Sequence, residues 1–416
     1  MSETLQRGRL GSYWPKIRGI IAYGAGPALG LASGPLLARA MGPDGRGEFA
    51  SIMQPLTLAG ALASIGIPAA ATYFIAKGEY RARSVLIRGM ILSILFAAIA
   101  YAILVMYSAP LSNNQGIDRT FLVVIWLLVF VLAAVQIQRG YLQGQARWRL
   151  LDVERFLFAI LRFGGVAVLA FLGVSAAEDY AVASLTAFIF AGALLWWPTR
   201  QSLVAQPAKK IPYPVLANYS LSAALGTIAV VANNRMDQIL LPLMTQSHEV
   251  GFYAVAVTVA EVPIILGTLA SRDALYSASR GYSPQKVFRS SALYLGCAAG
   301  LGVLLAVSAP LFMSPVFGDA FSEAVSSVQI LCFGTIFACV ALTLTAVIAG
   351  TGRPALSSVV PLVGLVVTGV LFWMFSQSMT STVAALVAAI SQIISVIAGL
   401  LVLVITSKFQ NTRRSN

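Results

Sequence analysis

Charge is scarce in this chain: Lys, Arg, Asp and Glu make up 10% of its 416 residues against 58% apolar ones, and the mean hydropathy is +0.83. So little polar surface cannot coat a water-soluble domain of this length, so the solvent for most of the chain must be lipid. Histidine occurs once and cysteine three times. Cys297, Cys332 and Cys339 all fall in apolar runs, where small, weakly polar side chains pack well. That placement argues against a disulfide framework, and no His/Cys cluster is left for a metal or for nucleophilic chemistry. A nucleotide-binding P-loop is missing too, as is any long loop on the outer side. Together these absences point away from an enzyme: no catalytic residue, cofactor or metal is expected.

What is abundant is apolar sequence in long runs. Crossing a hydrocarbon core of about 30 Å takes roughly 20 helical residues, and runs of that order recur from Gly19 to the C-terminus. Twelve spans are expected, at Gly19 to Ala40, Phe49 to Ala76, Gly89 to Tyr107, Phe121 to Ile137, Phe156 to Gly173, Tyr180 to Trp197, Val215 to Met244, Phe252 to Ala270, Ser290 to Phe312, Ala324 to Ile348, Leu356 to Phe375 and Thr382 to Thr406. The runs are continuously apolar rather than alternating, which favours helices over barrel strands. The expected fold class is an all-α integral membrane protein.

Cations give the orientation, because Lys and Arg in short loops are retained on the cytoplasmic side. With the N-terminus inside, inner segments hold 23 of the 28, among them Arg7, Arg9, Lys16, Arg18, Lys77, Arg81, Arg83, Arg88, Arg139, Arg200, Arg353, Lys408, Arg413 and Arg414. Only Arg39, Arg46 and Arg119 fall outside, and Arg162 and Arg235 lie within spans. Acids lean the other way, with Asp44, Glu48, Asp118, Glu178, Asp179, Glu249, Asp319 and Glu323 at the outer side. Both termini are therefore expected in the cytoplasm, and the net charge of +13 reads as a topology signal with some attraction to anionic lipid rather than as a nucleic-acid interface. The basic-then-apolar N-terminus is read as an uncleaved first span, since a Gly- and Pro-broken run makes a poor signal core.

Short passages recur at an offset of about 200 residues. Ser108-Ala-Pro-Leu111 returns as Ser308-Ala-Pro-Leu311, Tyr141 to Arg147 matches Val347 to Arg353 in its Gly and Arg positions, and Gly47-Glu-Phe-Ala50 pairs with Gly251-Phe-Tyr-Ala254. All three keep the same span number modulo six. Six crossings return the chain to the side it started from, so the two halves are expected to be related by a pseudo-twofold along the membrane normal. The expected division is an N-terminal six-helix bundle over 1–200, a Pro- and Lys-rich cytoplasmic connector over 201–214 and a C-terminal six-helix bundle over 215–416. Two repeat-built lobes around a cavity favour transport by alternating access.

At Leu37-Ala-Arg-Ala-Met-Gly-Pro-Asp-Gly-Arg-Gly-Glu-Phe-Ala50 the chain resembles the Wzx-type polysaccharide flippases of the multidrug/oligosaccharidyl-lipid/polysaccharide (MOP) exporter superfamily, to which the MATE exporters belong. Arg235-Met-Asp-Gln-Ile-Leu-Leu241 followed by Val250-Gly-Phe-Tyr-Ala254 is similar to that family's start of the second half. The resemblance implies carriage of a polyprenyl-diphosphate-linked oligosaccharide from the cytoplasmic to the periplasmic leaflet of a bacterial inner membrane, for surface polysaccharide such as O-antigen or exopolysaccharide. It also implies a polysaccharide polymerase and a chain-length regulator as partners, and action as a monomer. Two rivals stay open: a multidrug or cation antiporter of the same superfamily, and a membrane glycan polymerase or ligase.

Polar groups within the spans are the candidate substrate contacts. Arg235 lies roughly 12 Å below the outer end of the seventh span at 1.5 Å per residue. Such an Arg costs on the order of 3 kcal/mol in lipid, so it should face protein or water. Asp237, two residues on, points elsewhere on a continuous helix. Glu261 in the eighth span lies at a matching depth, and for both acids the readings are ion coupling or structural pairing. Asn218, Asn233, Asn234 and Gln238 offer amides for sugar hydroxyls or for interhelical hydrogen bonds. Arg162, about 9 Å from the inner boundary, either contacts substrate or snorkels to the surface. Depth alone makes Arg39 interfacial, and the resemblance implies that it faces the vestibule. Gly26, Gly30 and Gly34 with Pro35 and Pro27 mark the first span for close packing or for bending as a gate. Pro55, Pro68, Pro242 and Pro263 mark possible bends in the second, seventh and eighth spans.

Overall fold

The computed structural model describes the backbone of residues 3–196, 209–280, 282, 284–352 and 354–414, with side chains from 29 onward apart from 225–227, 284, 354 and 406–414. Residues 201–208 of the expected connector, Arg200 and Arg353 lie outside the described residues, as do the side chains of Arg7, Arg9, Lys16, Arg18, Lys408, Arg413 and Arg414 and the surroundings of Gly26. Among the described residues the chain is helical nearly throughout, and its one extended pairing is an isolated bridge between Tyr80 and Lys209.

The first 62-residue helical run, Glu3–Ser64, is interrupted by a kink at Gly42, whose φ of 67° and ψ of −174° no helix contains. Only glycine takes that φ without strain, and the following Pro43 excludes the helical conformation from the residue before it. The first and second spans are thereby joined at a corner. The second continues, after a break at Ile65 and Gly66, as Ile67–Lys77. Among the described residues eight helices are long and apolar enough to cross a membrane, and nine when Ser247–Ala260 and Ile264–Ser279, bent by 49°, are taken as one broken span. One of the eight, Leu29–Lys77, contains the second expected span and residues 29–40 of the first. Trp148–Phe171 and Ala177–Ala193 coincide with the fifth and sixth; charges crowd the start of one and the other has only 17 residues. The chain is an all-α multi-pass membrane protein, in keeping with twelve crossings. Ile94, Leu95, Ile103 and Met106 of the third span and Val303, Leu304, Val307 and Leu311 of its repeat equivalent, the ninth, are exposed apolar residues suited to lipid.

Two compact units form: Met1–Ala40, Ala59–Val105 and Val123–Ala224 in one, Met41–Leu58, Met106–Leu122 and Leu225–Asn416 in the other. The core of the first includes Ile67, Leu86, Ile137, Tyr141, Leu142 and Leu151. Beside it, at the cation-rich end, Arg139 grips Glu154 through Nη2–Oε1 at 2.6 Å and Nε–Oε2 at 3.0 Å, with the Glu154 side chain fully buried. The approach to the seventh span is fastened to the same unit. The Arg81 N–H donates to the Lys209 carbonyl at 2.9 Å, the Ile211 N–H donates to Ser84 Oγ at 3.1 Å, and Tyr219 stacks on Tyr73 with ring centroids 4.7 Å apart.

In the second unit, segments from the first half of the sequence are clasped to the second half at the cation-poor end. Tyr107 donates to the Ile239 carbonyl at 2.6 Å, and Gln115 Nε2 donates to the Pro242 and Thr245 carbonyls at 2.6 and 2.7 Å. The two glycines that the repeat equates, Gly47 and Gly251, lie against each other: a Cβ on Gly47 would meet the Gly251 nitrogen at 2.9 Å and run into the Ser247 carbonyl. Side chains at either position would force the corner off the start of the eighth span. His248 lies near Asp44 on this clasp, at 3.7 Å.

Candidate functional site

The seventh and eighth spans are both interrupted within their apolar stretches. Tyr213–Asn233 ends, Met236–Leu240 begins, and Arg235 sits at the junction with φ −133° and ψ −9°. Ser247–Ala260 ends at Glu261, followed by Pro263 and then Ile264–Ser279. Pro263 has no N–H to donate, so carbonyls of the preceding turn lose their helical partners. The tenth span supplies a replacement: Thr335 Oγ1 donates to the Ala260 carbonyl at 3.0 Å, while Cys339 Sγ packs 3.7 Å from the Pro263 carbonyl. Interrupted helices are tolerated at membrane depth only where their backbone is met by protein or lines a wet cavity, and in transporters they mark binding sites.

The charged residues cluster at these two breaks. Arg235 Nη1 lies 3.2 Å from Glu261 Oε1 and 3.4 Å from Gln238 Oε1. Asp237 accepts a hydrogen bond from the Tyr253 hydroxyl on the eighth span and another, at 2.8 Å, from the Gln238 N–H. Because the helix restarts at Met236, Arg235 and Asp237 do not share a continuous helical register, and each finds its own partner on the eighth span. Arg46 extends the cluster from the second span, its Nη2 3.4 Å from Thr258 Oγ1 and its guanidinium over the Phe49 ring at 5.6 Å. Two cations, Arg46 and Arg235, thus stand with two acids, Asp237 and Glu261, and the formal charge of the group balances.

Exposure separates this ion pair from the one in the other unit. The Arg235 and Glu261 side chains are 31% and 45% exposed. Facing lipid would cost about 3 kcal/mol per charge on insertion scales, so the open side is a watered one. A solvated pair of this kind contributes about 0–1 kcal/mol, whereas removing one member of a buried pair such as Arg139–Glu154 costs about 3–5 kcal/mol. The first can be traded for another partner at little cost; the second holds the fold.

Asn233 turns to the eleventh and twelfth spans. Its Oδ1 and the Ser395 Oγ are buried without hydrogen-bond partners and share the space left by Gly364, where a Cβ would meet both. Thr368 and Ser391 hydrogen-bond next to them at 2.7 Å. Asn234 is exposed. Arg39, Arg162 and Asn218 belong to the first unit, as do Gly30, Gly34 and Pro35. Arg39 and Asn218 are exposed there, Gly34 is buried, and Gly30 and Pro35 are half-buried. Arg162 is half-buried; its Nε has no hydrogen-bond partner, and no carboxylate pairs with its guanidinium among the described residues.

Sequence reasoning passed over Arg46, Tyr253, Thr258, Thr335 and the Arg139–Glu154 pair. The two arginines look like loop cations when only their place between apolar runs is considered. Tyr253 and the threonines look like ordinary helix residues, since nothing local reveals the break they serve.

Comparison with known proteins accords with this architecture. Residues 20–276, more than half of the chain, match the family described as "Polysaccharide biosynthesis protein". No curated protein matches the sequence. Among solved structures the chain is similar to a multidrug resistance MATE family transporter of the MOP superfamily in its inward-facing conformation, with a TM-score of 0.73, 13% identity and coverage of 95% of this chain and 99% of that one. It is also similar to the lipid II flippase MurJ in an inward closed conformation, with a TM-score of 0.68, 13% identity and coverage of 93% and 87%. A MATE in the straight conformation gives 0.61 at 15% identity, with 95% of each chain covered. The chain shares the fold of these MATE and MurJ structures and belongs to the polysaccharide biosynthesis protein family.

Proposed function

We propose that this protein moves a polyprenyl-diphosphate-linked oligosaccharide from the cytoplasmic to the periplasmic leaflet of a bacterial inner membrane, for surface polysaccharide biosynthesis. The observation that carries the proposal is Arg235, a guanidinium on the watered side of two interrupted spans, in a chain of the polysaccharide biosynthesis family. A sugar headgroup with a diphosphate cannot enter hydrocarbon unaided. Arg235 and Arg162 supply cationic donors for the diphosphate, and Asn218, Asn233 and Asn234 supply amides for sugar hydroxyls. Arg39 serves the vestibule, while the lipid tail stays in the bilayer. Asp237 and Glu261 set the charge of the site.

In this reading residues 1–200 and 215–416 work as two lobes joined by the 201–214 connector, with both termini in the cytoplasm. Export requires the Gly47–Gly251 clasp at the cation-poor end to part, and the first span, with Gly26, Gly30, Gly34 and Pro35, bends as it does so. The protein acts as a monomer and hands its cargo to a polysaccharide polymerase and chain-length regulator. A cation antiporter would use the Asp237 and Glu261 carboxylates; each is engaged, by Tyr253 and by Arg235, which favours the anionic cargo.

The test is export of surface polysaccharide in a strain lacking the chromosomal copy. Arg235→Ala at wild-type abundance should lower export at least tenfold and Arg235→Lys should retain part of it. Wild-type export by the alanine variant would remove Arg235 from the site, and extrusion of cationic dyes with unchanged polysaccharide would install the antiporter instead.

A further inference from the structure

Arg235 is not waiting empty-handed: its guanidinium already holds a carboxylate. We infer that the Arg235–Glu261 pair is an exchangeable latch, in which the anionic group of the cargo displaces Glu261 from Arg235 and so releases one of the side-chain ties between the seventh and eighth spans. The inference rests on the anionic-cargo reading and adds a trigger to it.

Three features of the pair fit exchange rather than permanent structure. The pair has a single close contact, Nη1 to Oε1 at 3.2 Å, whereas Arg139 grips Glu154 through two nitrogens and two oxygens. A diphosphate carries more charge than a carboxylate and presents paired oxygens that match the guanidinium fork, so it outbids a one-point carboxylate contact. Second, both partners are open to water and stand where their helices stop, Arg235 at the non-helical junction and Glu261 at the end of Ser247–Ala260. The Glu261 backbone stays in the last helical turn, its N–H bonded to the Val257 carbonyl at 2.9 Å, but its side chain is exposed, so the carboxylate can swing away without unpacking a core. Third, the other tie between these spans, Tyr253 to Asp237, uses different atoms and survives the exchange.

The consequence is a ligand-driven shift. A cargo can bias a conformational equilibrium only through contacts that differ between the states. Here the differing contact is Arg235 itself: bound to Glu261 in the clasped arrangement, bound to the anion once the tie is released. Uncharged glycolipids leave the latch shut, which makes the pair a filter for anionic linkage as well as a trigger.

Purified full-length protein in lipid nanodiscs, titrated calorimetrically with inorganic pyrophosphate, tests this. Glu261→Gln leaves Arg235 without a charged competitor and should bind pyrophosphate at least tenfold more tightly than wild type. Glu261→Asp, which draws the carboxylate back by one methylene, should tighten binding in the same direction by a smaller factor. Arg235→Gln, alone or combined with Glu261→Gln, should abolish binding, with thermal melting confirming that each variant is folded. Wild-type or weaker affinity in both Glu261 variants, with binding still lost in Arg235→Gln, would overturn the latch and make Glu261 a group that positions Arg235; the anionic-cargo reading would stand. Binding that survives Arg235→Gln would place the anion elsewhere and likewise overturn the latch. No binding by any variant would overturn both the latch and the anionic-cargo reading.

Discussion

At the scale of single residues, what distinguishes one charged pair from another is its access to water. Glu154 is fully buried against Arg139, while Glu261 is 45% exposed beside Arg235. Glu154→Ala should therefore destabilise the folded protein by about 3 kcal/mol, because it removes a fully buried carboxylate and strands the half-buried Arg139 guanidinium. Replacing both members together, Arg139→Met with Glu154→Leu, should recover most of that loss. Thermal melting in detergent reads both, and a single variant as stable as wild type would show that the pair does no structural work. Arg235 was legible in the sequence, since a charge inside an apolar run is conspicuous and expensive. Arg46 and the Arg139–Glu154 pair were not, because sequence gives depth along a span but not which way a side chain turns at its end.

Among the elements, the interruptions matter most. Pro263 announces the break in the eighth span, and Pro68 lies two residues beyond the one at Gly66. Pro55, by contrast, sits inside continuous helix, and the seventh span breaks at Arg235 with no proline beside it. A proline pattern thus found some breaks and missed the one at Arg235, which no residue beside it marks. Thr335→Val should leave the Ala260 carbonyl without its donor and cost about 1–3 kcal/mol, seen as a lowered melting temperature; an unchanged one would show that the carbonyl finds another partner. Gly251→Leu should prevent the Gly47 corner from seating. A cysteine placed at Ser247 in that background should react with a membrane-impermeant maleimide added from outside several-fold faster than the same cysteine beside Gly251, and equal rates would show that the glycine contact does not close this end.

For the whole molecule, hydropathy and charge patterning were enough to read an all-α multi-pass protein, and the repeat picked out Gly47 and Gly251 before their contact was seen. Not legible was the assignment of 41–58 and 106–122 to the unit built mainly from the second half, since contacts between distant segments leave no periodic trace. Movement of cargo is the claim on which all three scales converge. The most direct measurement is leaflet exchange in proteoliposomes, comparing a fluorescent polyprenyl-diphosphate oligosaccharide with the same glycolipid joined through a neutral linkage. The wild-type protein should move the first and not the second, and Arg235→Ala should move neither. Equal transfer of both lipids, or transfer undiminished in Arg235→Ala, would contradict the account.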